Sequence, residues 1–132
     1  MHIAFGDTDE FAHAGMYDLY LDAAKKSDNW IRQLWEYIQD TPHYANKTTL
    51  IITTDHGRGQ AAGGAWKDHG SDVKGASEIW IAAIGPGIKP EGESKKEVQF
   101  QQGQIAATIA KLLGKEFKPN HLVLPALPFG AK

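Results

Sequence analysis

Apolar and polar positions along the chain fall into blocks whose period changes. Residues 2–6 form a short apolar run, Ile3-Ala4-Phe5, cut off by Asp7-Thr8-Asp9. That pattern predicts a buried strand ending in a polar loop. Between residues 15 and 26, Tyr17, Tyr20, Leu21 and Ala24 recur at helical spacing. Ser27 offers a fresh N-cap, with Asp28 in the first turn where negative charge suits the helix dipole. Trp30, Ile31, Leu34, Trp35 and Ile38 then make the apolar stripe of a second helix. Pro42 ends it, because the residue before a proline is pushed out of the α region.

The clearest strand is Thr48 to Thr54, nearly all β-branched with a continuous apolar centre. Such a run suits a strand covered on both faces, as in a parallel sheet. It stops at Asp55-His56-Gly57. Residues 57–77 are rich in glycine and polar residues and read as a long loop, a length that usually serves function. Glu78 to Ile84 is another strand, closed by Gly85-Pro86-Gly87, and residues 89–97 are a charged, exposed turn region. Gln101 to Leu113 is an amphipathic helix with Ile105, Ile109, Leu112 and Leu113 facing inward. Gly114 stands where a C-cap glycine belongs. The proline-punctuated tail from Lys118 reads as irregular. Alternating strands and helices predict a layered α/β/α domain with a mostly parallel sheet.

Composition adds bounds. The chain has 132 residues, 42% hydrophobic and 23% charged, which suits one globular domain spanning residues 1–132. Its 14 basic and 16 acidic residues argue against a nucleic-acid footprint, which needs a basic stripe. No apolar run approaches the roughly 20 residues of a membrane span. With no cysteine, thiolate metal sites, disulfides and a cysteine nucleophile are excluded.

The candidate chemistry lies at strand ends, where ligands of open α/β sheets bind. Asp9-x-x-x-His13 sets a carboxylate and an imidazole four apart, able to converge on one cation where the segment turns into a helix. Asp55-His56 sits at the end of the clearest strand, and adjacent side chains there diverge. His69 follows in Asp68-His69-Gly70. Hard oxygens mixed with imidazoles suit Zn²⁺ or Mn²⁺. Each residue also has a plain structural role. Asp9 reads as a helix N-cap and Asp55 as a turn residue. It is the combination that packing needs do not explain. Arg58 can grip phosphate oxygens with its planar fork, or it can be a solvated loop arginine. Trp66 and Lys67 are candidate pocket walls beside His69. Trp30 and Trp35 read as core. Thr8, Thr53, Thr54, Ser71 and Ser77 read as structural hydroxyls, and His2, His43 and His121 belong to no motif.

On these residues the chain resembles the alkaline phosphatase superfamily, which includes cofactor-independent phosphoglycerate mutases, nucleotide pyrophosphatase/phosphodiesterases and sulfatases. The matching stretches are Asp9-Glu10-Phe11-Ala12-His13, Leu50 through Gly57, and His69-Gly70. Ile84 through Ile88 and Gln104 through Gly114 look like the family's later strand and helix. The resemblance implies a metal-dependent hydrolase of small phosphate or sulfate esters. It implies that Asp9, His13 and His69 hold one metal and Asp55 and His56 the second, with zinc favoured over manganese. In the family the second metal also takes an Asp and a Ser or Thr nucleophile from the start of the domain. The nucleophile has no counterpart here, and Asp7 is the one acidic residue near the start that could replace the missing ligand. The expectation is therefore the C-terminal portion of an alkaline phosphatase-like catalytic domain, completed by an upstream segment or by an oligomeric partner. Asp55-His56 favours the phosphate branch, because sulfatases usually carry Asp-Asn there. A phosphoglycerate mutase fragment is the other enzymatic alternative, and a non-catalytic remnant the alternative outside catalysis. The resemblance leans towards an exported, periplasmic protein.

Overall fold

A computed structural model describes residues 1–60, 64–94 and 98–129. Three α-helices, a short 3-10 helix and two strands follow in the order α1 (Asp7–His13), α2 (Tyr17–Asp40), β1 (Leu50–Thr53), the 3-10 helix (Ala65–Lys67), β2 (Ile81–Ile84) and α3 (Gln104–Leu112). The chain divides into two compact units. The first comprises Met1–Asn46 and Ile52–Ala82, the second Lys47–Ile51 and Ala83–Lys132.

In the first unit, residues 2–6 are exposed and form no strand, against expectation. An apolar run becomes a strand only where another backbone offers it a ladder. Here Phe5 instead stacks on Trp30 with ring centroids 5.6 Å apart. Asp9 lies inside α1 rather than capping it, and Gly6 is the N-cap. The chain then reverses at Gly15. The Gly15 N–H donates to Ala12 O at 2.9 Å and the Met16 N–H to Phe11 O at 2.8 Å. That is a Schellman ending, and Gly15 takes the left-handed φ of 72° that it demands.

Helix α2 runs unbroken through Ser27, so the expected cap does not form. The reason lies in its inward stripe, which runs Tyr20, Ala23, Ser27, Ile31, Leu34, Trp35 and Ile38 at steps of three and four. Ser27 is simply one position of that stripe. Trp30 falls off it and is exposed, whereas Trp35 is half-buried. The helix stops at Asp40 before Pro42, as the sequence predicts, with the Thr41 hydroxyl donating to Tyr37 O at 2.8 Å. Helix α1 packs against α2. Ala12 and Ala23 are both buried, and their small side chains allow close approach.

The strands β1 and β2 pair with each other. Thr53 Oγ1 donates to Trp80 O at 2.9 Å, and Thr49 Oγ1 donates to Pro86 O at 2.7 Å. Residue numbers rise on one strand as they fall on the other, so the pair is antiparallel. The mostly parallel sheet expected from the sequence is not what the described strands form. A parallel pair needs a crossover, usually a full helix. Among the described residues the β1–β2 connection holds only the three-residue 3-10 helix. Strand β2 also alternates half-buried and exposed positions, the signature of a sheet with one covered face.

In the second unit, α3 turns an unexpected face inward. Gln104 and Thr108 are buried, Ile105 and Leu112 are half-buried, and Ile109 and Leu113 are exposed. Thr108 Oγ1 donates to Gln104 O at 2.7 Å and accepts the Leu127 N–H at 2.8 Å. Gln104 Nε2 donates to Pro125 O at 2.7 Å, and Gln104 Oε1 accepts the Gln101 N–H at 2.8 Å. These bonds latch the irregular tail onto the helix and bury Leu127. Gly114 closes α3 as predicted, with Gly114 N–H on Lys111 O and Lys115 N–H on Ala110 O. Residues 89–94 are exposed, and the remainder of that charged stretch, 95–97, lies outside the described residues. Among the described residues no helix is long and apolar enough to cross a membrane.

Candidate metal centre

The centre lies within the first unit. Residues four apart on a helix share a face, so α1 presents Asp9 and His13 together, with Asp9 Oδ1 3.4 Å from His13 Nε2. The Schellman turn at Gly15 stops the helix directly after this pair.

Strand β1 delivers the next residues. Asp55 and His56 differ in exposure but do not diverge as expected, because their side chains meet within 3.8 Å. The Asp55 side chain is 85% exposed, with its Oδ1 accepting the His56 N–H at 3.1 Å and standing 3.8 Å from His56 Nε2. His56 turns inward. Its Nδ1 lies 2.8 Å from Gly57 O, and a carbonyl only accepts, so Nδ1 carries the hydrogen. In a neutral ring this tautomer puts the acceptor lone pair on Nε2, 3.6 Å from Asp9 Oδ1, where it could ligate a metal.

His69 comes from the long loop, held in place by backbone. The Gly57 N–H donates to Ala76 O at 2.8 Å and the Gly59 N–H to Asp68 O at 3.0 Å. A Cβ at Gly57 would collide with the carbonyl oxygens of Gly75 and Glu78, so glycine is what lets the loop lie this close. His69 Nε2 thereby reaches 3.0 Å from His13 Nε2 and 3.5 Å from Asp9 Oδ1. Its ring stacks on His56 at 3.7 Å between centroids.

Arg58, between the two glycines, donates through one terminal nitrogen to Asp9 Oδ1. The other donates to Lys67 O at 3.2 Å and Trp66 O at 3.4 Å. The guanidinium lies 6.0 Å over the Tyr20 ring. Trp66 packs edge-on against Tyr17 at 5.3 Å and tilted against Tyr20 at 5.9 Å. The sequence offered Trp66 as a candidate pocket wall, but not its packing on Tyr17 and Tyr20. Its one signal was that Tyr17 and Tyr20, three apart, share a helix face.

Of the five predicted ligands, His13, His56 and His69 each bring Nε2 within 3.6 Å of Asp9 Oδ1. Asp55 Oδ1 reaches His56 Nε2 at 3.8 Å rather than Asp9. Asp9, His56 and His69 each offer a donor atom, all within 4.8 Å of one another. A tetrahedral shell with bonds of about 2.0–2.1 Å has edges of about 3.3–3.4 Å. The separations of 3.4, 3.5 and 3.0 Å among Asp9, His13 and His69 fall close to those edges. Carboxylate and imidazole donors without sulfur suit borderline divalent ions.

An α/β chain that gathers imidazole nitrogens on a carboxylate has the features of a metal-dependent enzyme. The chain belongs to the metalloenzyme superfamily, which matches residues 1–116 and lies within the alkaline phosphatase-like superfamily. No curated protein and no solved structure matches it.

Proposed function

We propose that the protein is a metal-dependent hydrolase of small-molecule phosphate esters, a phosphatase or phosphodiesterase. The observation that carries this reading is the convergence of three histidine Nε2 atoms on Asp9 Oδ1, with the Arg58 guanidinium on the same oxygen. On this reading Asp9, His13 and His69 hold one divalent cation, zinc in preference to manganese, and Asp55 and His56 hold a second. Two such ions, when bound, supply the charge that steadies the attacking and leaving oxygens of an in-line displacement.

The chain's own groups do the positioning. The Gly57 carbonyl fixes the His56 tautomer, and stacking on His69 fixes its ring plane. Arg58 offers a planar fork for phosphate oxygens. Its neighbours Tyr20 and Trp66 wall that side of the centre. Asp55-His56 supports phosphate over sulfate esters, and export to the periplasm is the proposed location.

A second reading, a non-catalytic unit completed by a partner or by another copy, is favoured by one observation. Tyr17, Leu19, Leu21, Trp30 and Tyr37 of α2 are all exposed.

Zinc or manganese at about a hundred times its Kd should stabilise the fold by about 2.7 kcal/mol, read as a rise in melting temperature. With zinc bound, the protein should turn over p-nitrophenyl phosphate far faster than p-nitrophenyl sulfate. Unchanged metal affinity after Asp55→Ala with His56→Ala would remove the second centre, and equal turnover of the two esters would remove the phosphate assignment.

A further inference from the structure

The atom on which the histidines converge is also the atom Arg58 holds. We infer that Arg58 is an internal counter-ion that couples the two halves of the ligand: a divalent cation taking Asp9 Oδ1 displaces the Arg58 donor and turns it towards an anionic oxygen. This inference rests on the metal-site reading above.

The case is one of charge and tethering. The Arg58 side chain is only 14% exposed, so its charge needs a partner within the protein. Asp9 is that partner. A carboxylate oxygen cannot serve a guanidinium and a divalent cation equally at close range, because the two positive charges repel. The cation therefore weakens the Asp9–Arg58 pair. The guanidinium is nevertheless not released to solvent. Its second terminal nitrogen stays on the Trp66 and Lys67 carbonyls, and its carbon lies over the Tyr20 ring.

The freed nitrogen remains at the centre with its N–H groups unmatched, and a desolvated charged donor is costly to leave so. Phosphoryl oxygen is the acceptor that fits, since the guanidinium fork matches its geometry. The sign of the coupling follows. Arg58 opposes the cation, and the cation favours the anion. By linkage the anion favours the cation by the same factor. The centre thus binds its metal first and its anionic ligand second.

The sequence makes a direct test practical, because the chain contains two arginines, Arg32 and Arg58. Their side-chain Nε–H signals in a ¹⁵N-labelled protein are assigned with Arg32→Lys. Zinc should move the Arg58 signal and leave that of Arg32 in place, and inorganic phosphate should move it further only after zinc. Arg58→Met, of similar length without the charge, should bind zinc three- to tenfold tighter. Its zinc form should bind inorganic phosphate at least tenfold more weakly. Arg58→Lys, which keeps the charge without the fork, should fall between. Zinc binding with an unmoved Arg58 signal would overturn the coupling while leaving the metal site intact. So would an Arg58→Met zinc form that binds phosphate like the parent. No zinc binding at all would overturn the metal reading itself, and the titration of the parent protein decides the matter even where a variant fails to fold.

Discussion

The first unit and the second each hold a set of polar side chains drawn together by the fold, and the two sets follow opposite rules. Around Thr108, every group is neutral and every bond closes inside the protein. The threonine hydroxyl both donates and accepts, and Gln104 uses both ends of its amide. Around Asp9, the groups are titratable or charged, and three imidazole nitrogens and a guanidinium crowd one oxygen. A latch that satisfies itself has no chemistry left to offer and serves stability. A cluster whose donors aim at one point has capacity for a cation. Both are polar clusters, and only the bookkeeping of lone pairs tells them apart.

The largest expected effect breaks the cluster. Asp9→Ala should lower zinc affinity by more than the roughly 10–100-fold typical of residues one step removed from a metal, measured by calorimetry against a competing chelator. The second unit's latch should tolerate that change. The converse substitution, Thr108→Val, leaves the Leu127 N–H without its acceptor and should cost about 1–3 kcal/mol in urea unfolding. Zinc affinity should stay where it was, and a joint loss of both properties would end the contrast drawn between the two clusters. Gly57→Ala tests the backbone that delivers His69. The added methyl meets two carbonyl oxygens, so about 1–3 kcal/mol of stability should go, and zinc affinity should fall with it. The smallest effect is that of Gly15→Ala. Forcing alanine into a φ of 72° should cost about 1 kcal/mol, with a slight weakening of zinc binding through the displaced end of α1.

The exposed aromatics of α2 sharpen the same contrast at a larger scale. The buried apolar residues are Ala12, Ala23, Ile38, Ala76 and Leu127, three of them alanines, among the described residues. Closing the polar sets therefore matters to a fold with so few large buried side chains.

Several features were legible before any coordinates. The helical stripe of α2, its stop before Pro42, the strand through Leu50–Thr53 and the glycine closure of α3 all follow from local rules. Those rules act within a turn or two of chain, where spacing alone fixes which side chains share a face. The residues of the cluster were legible as well, because Asp-x-x-x-His, Asp-His-Gly and His-Gly are a combination that packing does not require. What local pattern left open was partnership. It did not show that Ser27 would lie on a continuous stripe, that residues 2–6 would find no strand to pair with, or that β1 and β2 would run antiparallel. Nor did it show that Gln104 and Thr108 would be the buried face of α3. It named five ligand candidates, but only the tertiary structure set His69 beside His13 across 56 residues of sequence, turned Asp55 outward and laid Arg58 on Asp9. The physical reason is the same throughout. Periodicity states which face of an element is apolar, whereas the position of a polar donor in space depends on which distant backbone lies against it.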